Sequence, residues 1–262
     1  MNQELKDKRI NDLIALFTKG QIDKCIRQGK KVLKMYPNEP FLFNILGITH
    51  AAKGLFAESL NYYEKAIDLN PSYFEVFNNM GVAYNDWKKP KEAISCLKKA
   101  IGIQPSYAEA FNNMGNSYKE LSDFDNAVIS YKKAIDLAPA YTDALCNLGI
   151  CWSLQEKYEQ AEAAYKKALE IEPENIKSNL LLANICVKNR DFQNGLLIVK
   201  KIILENPSNF EALHIAGLCY RGLDQNDKAS EYFINSIKIN SDNLGALNEL
   251  GFLRLNQKSF KE

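Results

Sequence analysis

The sequence predicts an all-α protein: an array of antiparallel helix pairs repeating every 34 residues. Three observations carry this expectation. Pro37, Pro71, Pro105, Pro139, Pro173 and Pro207 each stand 34 residues from the next. Glycines keep the same spacing at Gly47, Gly81, Gly115 and Gly149, then at Gly217 and Gly251, with Ala183 in the remaining place. The pentapeptide FNNMG at residues 77–81 recurs unchanged at residues 111–115. Self-similarity at such a period marks stacked supersecondary units, each burying its apolar face against its neighbours.

Each unit reads as two helices. In residues 74–107, Phe77, Met80, Gly81 and Tyr84 fall at i, i+3, i+4 and i+7, one face of a helix. After a break at Lys88 to Pro90, Ala93, Leu97 and Ala100 mark a second face. Gly81 and Ala93 let the two helices approach, and Ala100 leaves room for the first helix of the next unit. Pro105 cannot continue a helix and biases the preceding residue toward extended geometry. Ser72 with Glu75, Ser106 with Glu109 and Ser208 with Glu211 fit the capping-box pattern. Asn38 and Asp242 are expected as plain N-caps.

These residues resemble the tetratricopeptide repeat family. Residues 108–141 carry its pattern as Phe111, Met114, Gly115, Tyr118, Ala127, Tyr131, Ala134 and Pro139. Residues 142–175 carry it as Leu145, Leu148, Gly149, Trp152, Ala161, Tyr165, Ala168 and Pro173. Six units are expected at 40–73, 74–107, 108–141, 142–175, 176–209 and 210–243. The fifth is divergent, with Asn179, Ala183, Cys186 and Gly195 at signature places, and the sixth has Ser236 and Ser241 where Ala and Pro are usual. Residues 1–39 read as a degenerate helical pair that keeps little beyond Pro37, and 244–262 as a partial seventh repeat. The resemblance implies a right-handed α-solenoid superhelix whose first helices line a concave groove.

Composition narrows the function classes. The net charge of +1 gives no electrostatic case for nucleic acid. No apolar run approaches the ~18 residues of a membrane helix, and MNQELKDKRI lacks a signal-peptide core. The six cysteines form no CxxC pair and no metal-ligand spacing. They read as small buried hydrophobes of a reducing cytoplasm. No cofactor motif is present. His50 replaces a seam Tyr and is expected in the core, while His214 is expected at the groove. Neither has a partner for acid–base or nucleophilic work, so no catalytic residue is assigned.

Two charge patterns recur. The pairs Lys98-Lys99, Lys132-Lys133, Lys166-Lys167 and Lys200-Lys201 read as a solvated outer face, with Lys132–Asp136 and Lys166–Glu170 as helix-surface pairs. The acids Glu75, Glu109, Asp143 and Glu211 open the first helices and are explained first by capping.

The asparagines carry the binding argument. Asn44, Asn78 and Asn112 share one register of the first helix, as does Asn248; Asn79, Asn113 and Asn147 share the next. Asn is a mediocre helix former, and an amide offers two donors and an acceptor that can hold an extended backbone. The ladder is similar to one in the repeat arm of protein O-linked N-acetylglucosamine transferases. The groove candidates are therefore Asn44, Asn78, Asn79, Asn112, Asn113, Asn116 and Asn147, with Asp86, Lys119 and Glu120 beside them. Family members that hold a terminal carboxylate place basic residues in these registers; here stand Glu75, Glu109 and Asn116.

The expected function is a non-catalytic scaffold that binds an extended peptide or protein segment in the groove. The rival reading is the substrate-recruiting arm of a larger glycosyltransferase or sulfotransferase. It comes from Phe260, Lys261 and Glu262, which align with the beginnings of earlier second helices, so that the chain stops inside a repeat. On that reading Leu247, Leu250 and Phe252 are uncovered, and self-association through this end is a third expectation.

Overall fold

The structure is a computed structural model that describes the backbone of residues 2–259 and the side chains of residues 3–253. Phe260, Lys261 and Glu262, on which the reading of the last unit drew, lie outside the described residues. Fifteen α-helices and no strand occur among those described. They fall into two compact units, Met1–Pro139 and Ala140–Glu262.

The first unit contains α1 (Asn2–Thr18), α2 (Ile22–Met35), α3 (Pro40–Ala52), α4 (Phe56–Leu69), α5 (Phe74–Asp86), α6 (Pro90–Ile103), α7 (Ala108–Glu120) and α8 (Phe124–Leu137). The second contains α9 (Thr142–Leu154), α10 (Tyr158–Ile171), α11 (Ile176–Lys188), α12 (Phe192–Glu205), α13 (Phe210–Gly222), α14 (Asn226–Ile239) and α15 (Leu244–Ser259). Apolar residues from consecutive helices form the seams. Tyr63, Ala66, Val76, Met80, Leu97 and Ala110 meet in one cluster of the first unit. Leu180, Val199, Ala216, Phe233 and Leu250 meet in one of the second.

The glycine spacing has a steric cause. A Cβ added to Gly47, Gly115 or Gly149 would lie 2.4–2.5 Å from the ring of Tyr63, Tyr131 or Tyr165. The glycine is the space into which the second helix's aromatic ring fits. The fifth repeat departs from the rule with a compensation. Ala183 replaces the glycine, and the buried residue at the aromatic place is the smaller Val199.

The turn within each helix pair has a second period that the glycines reveal only in part. Gly20, Gly54, Lys88, Ser122, Glu156, Arg190 and Asp224 all have φ between 59 and 76°. Each is 34 residues from the next. The following N–H closes a Schellman bond to the carbonyl five residues back: Leu55 to His50, Lys89 to Tyr84, Asp123 to Tyr118, Lys157 to Trp152. Five of the seven places hold L-residues in the left-handed region, at a cost of about 1–2 kcal/mol each. Gly20 between α1 and α2 keeps the period, so the N-terminal helical pair turns as the others do.

The helix starts differ from the capping-box expectation. The N-caps of α5 and α7 are Tyr73 and Tyr107, without a side-chain cap bond. Ser72 lies outside the helix, its N–H and hydroxyl donating to Asn70 Oδ1; Ser208 donates its N–H to Asn206 in the same way. Nor do Asn38 and Asp242 cap: Glu39 precedes α3, and Asn243 Oδ1 accepts from Ala246 N–H. Side-chain caps belong to Asp123, Asn175, Asp191 and Asn209. Chain reversal at the proline pushes the first helical residue beyond the serine, out of its reach.

Within each unit the first helix of one pair touches that of the next: α3 with α5, α5 with α7, α9 with α11, α11 with α13. The second helices α4 and α6, α6 and α8, or α10 and α12 do not approach within 8 Å between Cα atoms. The first-helix side is thus the inner side of each unit's curve.

All six cysteines are buried and free. Burial pushes the Cys186 thiol up to about 11 and the Cys219 thiol up to about 12. His50 is in the core, its Nδ1–H donating to Leu46 O at 2.6 Å and its ring 4.7 Å from Tyr62. The paired lysines of the second helices are exposed. Lys166 pairs with Glu162, one turn before it, at 2.7 Å rather than with Glu170. At α15, Leu247 and Phe252 are exposed, but Leu250 is 8% exposed and joins the core of α13 and α14. Its expected exposure is corrected: it sits on the helix face already covered by the preceding pair.

Candidate peptide-binding face

The asparagines of the first unit lie on α3, α5 and α7, and the structure separates them by role. Asn44, Asn78 and Asn112 are buried, Asn78 completely. Asn44 and Asn78 bond to the following repeat and Asn112 is buried likewise, so this register is covered rather than open as expected. A helical projection gives their register but not the neighbouring helix that covers them.

Their amides clasp one repeat to the next. Asn79 Nδ2 donates to Asn44 Oδ1 at 3.0 Å, and Asn113 Nδ2 donates to Asn78 Oδ1 at 2.9 Å. Each pair is 35 residues apart, joining one register of a repeat to the other register of the following one. Asn78 Nδ2 in turn donates to Glu109 Oε1 at 3.2 Å, and Tyr107 O–H donates to Glu109 Oε2 at 3.1 Å. Asn44 Nδ2 reaches Tyr73 Oη at 3.5 Å. Buried amides cost stability unless satisfied, and these satisfy one another. Glu109 thus acts in an inter-repeat bond rather than in a capping box. Tyr107 was not expected here, although Tyr73, Tyr107 and Tyr141 recur every 34 residues and that period could have singled it out.

Asn79 and Asn113 are half-buried, their side-chain donors engaged in the clasp. Asn116 differs. It is half-buried on α7, and its Oδ1 accepts from Tyr131 O–H at 2.8 Å. That bond holds the amide by its oxygen, and Nδ2 remains a donor. Lys119 and Glu120 follow Asn116 by three and four residues on α7, half-buried and exposed, and Val82 and Asp86, both exposed, hold the places of Asn116 and Glu120 on α5. Partial desolvation lifts the Asp86 carboxyl above its ordinary range, Lys88 opposing. Lys88 Nζ also lies 3.4 Å from Glu120 Oε2 in an exposed pair, which contributes little. Asn147 belongs to the second unit, half-buried on α9.

His214 is half-buried on α13, 5.8 Å from the Phe233 ring, with Gly245 packed against it. Burial, and secondarily Arg221, lowers its pKa. Among the described residues, no group of three or more His, Cys, Asp or Glu side chains is placed to hold a metal ion. No described helix is long and apolar enough to cross a membrane.

Comparison with known proteins gives one consistent result. Family profiles described as tetratricopeptide repeat match residues 74–107, 108–141, 142–175 and 210–243, and one described as TPR repeat matches 47–86. Together they span more than half of the chain. No curated protein matches it. Among solved structures it is similar to YrrB, "a TPR protein with an unusual peptide-binding site", at 20% identity and TM-score 0.58, covering 71% of this chain and 96% of that one. It is similar to a tetratricopeptide repeat protein from Parabacteroides merdae at 15% identity and TM-score 0.69, covering 95% and 98%. It is also similar to pilF of Pseudomonas aeruginosa at 17% identity and TM-score 0.67, covering 80% and 96%. At these identities the likeness is one of fold.

Proposed function

The chain belongs to the tetratricopeptide repeat family, and on that premise we propose that it is a non-catalytic scaffold holding an extended peptide against its first helices. The observation that carries this reading is Asn116. A structural amide would have both ends consumed inside the protein, as in Asn78. Asn116 is oriented by Tyr131 from behind, with a donor left for a backbone carbonyl. Lys119, Asp86 and Glu120 supply polar contacts around it, and Val82 an apolar one. The clasped pairs Asn44–Asn79 and Asn78–Asn113 serve the site indirectly, by fixing the spacing of consecutive helices.

The family fold supports a protein-binding role, and the peptide-binding site of the similar YrrB structure is consistent with it. The test is the affinity of peptides selected from a random display library. Asn116→Asp, which keeps an oxygen to accept from Tyr131 and removes the Nδ2 donor, is expected to weaken binding by about tenfold, the equivalent of one lost bond near 1.4 kcal/mol, with the thermal midpoint little changed. Unchanged affinity would remove Asn116 from the site.

A further inference from the structure

We propose that the divergent fifth repeat selects ligands, taking an aliphatic side chain followed or preceded by a basic residue. This deepens the peptide-binding reading above and rests on it. A concavity of about 270 Å³ opens on the inner side of the second unit, lined by Ile176, Lys177, Leu180, Leu181, Asn184 and Glu211. The repeats supply their own comparison. Leu180 and Leu181 occupy the places of Asn78 and Asn79, or of Asn112 and Asn113. The amide clasp is absent here, and an apolar surface stands in its place. Leu180, 8% exposed, forms the floor, with Ile176 exposed and Leu181 half-buried at the wall.

The charge at the rim points to the partner. Glu211 is the counterpart of Glu109 one hundred and two residues on. Glu109 is held by Asn78 and by Tyr107. Both holders are replaced at Glu211, by Leu180 and Asn209, and Asn209 turns its oxygen to the helix start instead. Glu211 is exposed. The cation in the lining, Lys177, lies 3.2 Å from Asp143 and is engaged there rather than with Glu211. The concavity therefore presents an apolar floor beside one uncompensated carboxylate, complementary to an aliphatic residue next to Lys or Arg. A basic neighbour gains a charge-assisted bond there, whereas an acidic one is repelled.

The test is to pan a random library of short linear peptides against the full chain and against Glu211→Lys, an exposed substitution that leaves the core intact. Peptides enriched on the unaltered chain are expected to share an aliphatic residue adjacent to a basic one, and to bind Glu211→Lys about tenfold or more weakly. Glu211→Lys is expected to enrich acidic neighbours instead. Leu180→Asn, checked by circular dichroism for retained helix, is expected to lose the aliphatic preference. Enriched peptides without this pair, or with the same preference on Glu211→Lys, overturn the proposal while leaving peptide binding intact. No enrichment from any library overturns the peptide-binding reading and this proposal with it.

Discussion

Replacing Asn78 by alanine removes one side chain from two bonds between repeats. Asn78 is fully buried, accepts from Asn113 at 2.9 Å and donates to Glu109 at 3.2 Å. A neutral hydrogen bond contributes about 0.5–1.5 kcal/mol and one to a charged group about 1.5–3 kcal/mol. Glu109 is exposed and water can replace its donor, so the lower end of the range applies to it. Asn113 is half-buried and keeps part of its loss. Alanine returns about 0.5 kcal/mol through its helix propensity. The net destabilisation is about 2 kcal/mol by this reckoning. The assay is urea denaturation followed by circular dichroism, with hydrogen exchange in α5 and α7, because an array can open repeat by repeat. Asn113→Ala alone should cost less, and the double variant should show a coupling of about 1 kcal/mol. A change below about 0.5 kcal/mol, typical of a surface substitution, accompanied by loss of peptide binding would refute the clasp and make Asn78 a ligand contact.

Lys88→Gly and Ser122→Gly relieve a left-handed backbone at φ 60 and 59° and should each raise stability by up to about 1 kcal/mol, read as a higher urea midpoint; Gly54→Ala should lower it. Gly115→Ala places a Cβ 2.5 Å from the Tyr131 ring and should cost about 1–3 kcal/mol. In the fifth repeat Val199→Tyr should be similarly harmful, and Ala183→Gly in the same chain should recover most of the loss. The thiols Cys186 and Cys219, raised by burial to about 11 and about 12, favour folding fully below their unfolded pKa near 8.5. As pH rises past that value the unfolded chain loses these protons first, so stability should fall progressively between about pH 8.5 and 12. Ellman's reagent should be slow with the folded protein and fast after denaturation.

The period and the helix faces were legible because proline, glycine and apolar residues each return at a fixed place. Helix ends were less so. The capping-box reading put the starts at Ser72 and Ser106, but the helices begin beyond Tyr73 and Tyr107, which lack side-chain cap bonds. The left-handed turns were hidden because Lys88, Ser122, Glu156, Arg190 and Asp224 carry no local mark of positive φ; only Gly20 and Gly54 hint at it. The asparagine registers were found from sequence, yet a single helix cannot show that its neighbour closes over one register while Asn116 stays only half-buried. Leu250 was misplaced for the same reason. The apolar concavity around Leu180 was open to discovery by aligning the repeats against each other, since two leucines replace two asparagines there.

The most direct test is an NMR footprint of a library-selected peptide on the isotopically labelled protein. Binding by the inner side predicts shifts on the first helices α5, α7, α11 and α13, with Asn116 among the largest and the exposed lysines of α6, α8 and α12 silent. Shifts confined to the second helices, with Asn116 unmoved, would contradict the account.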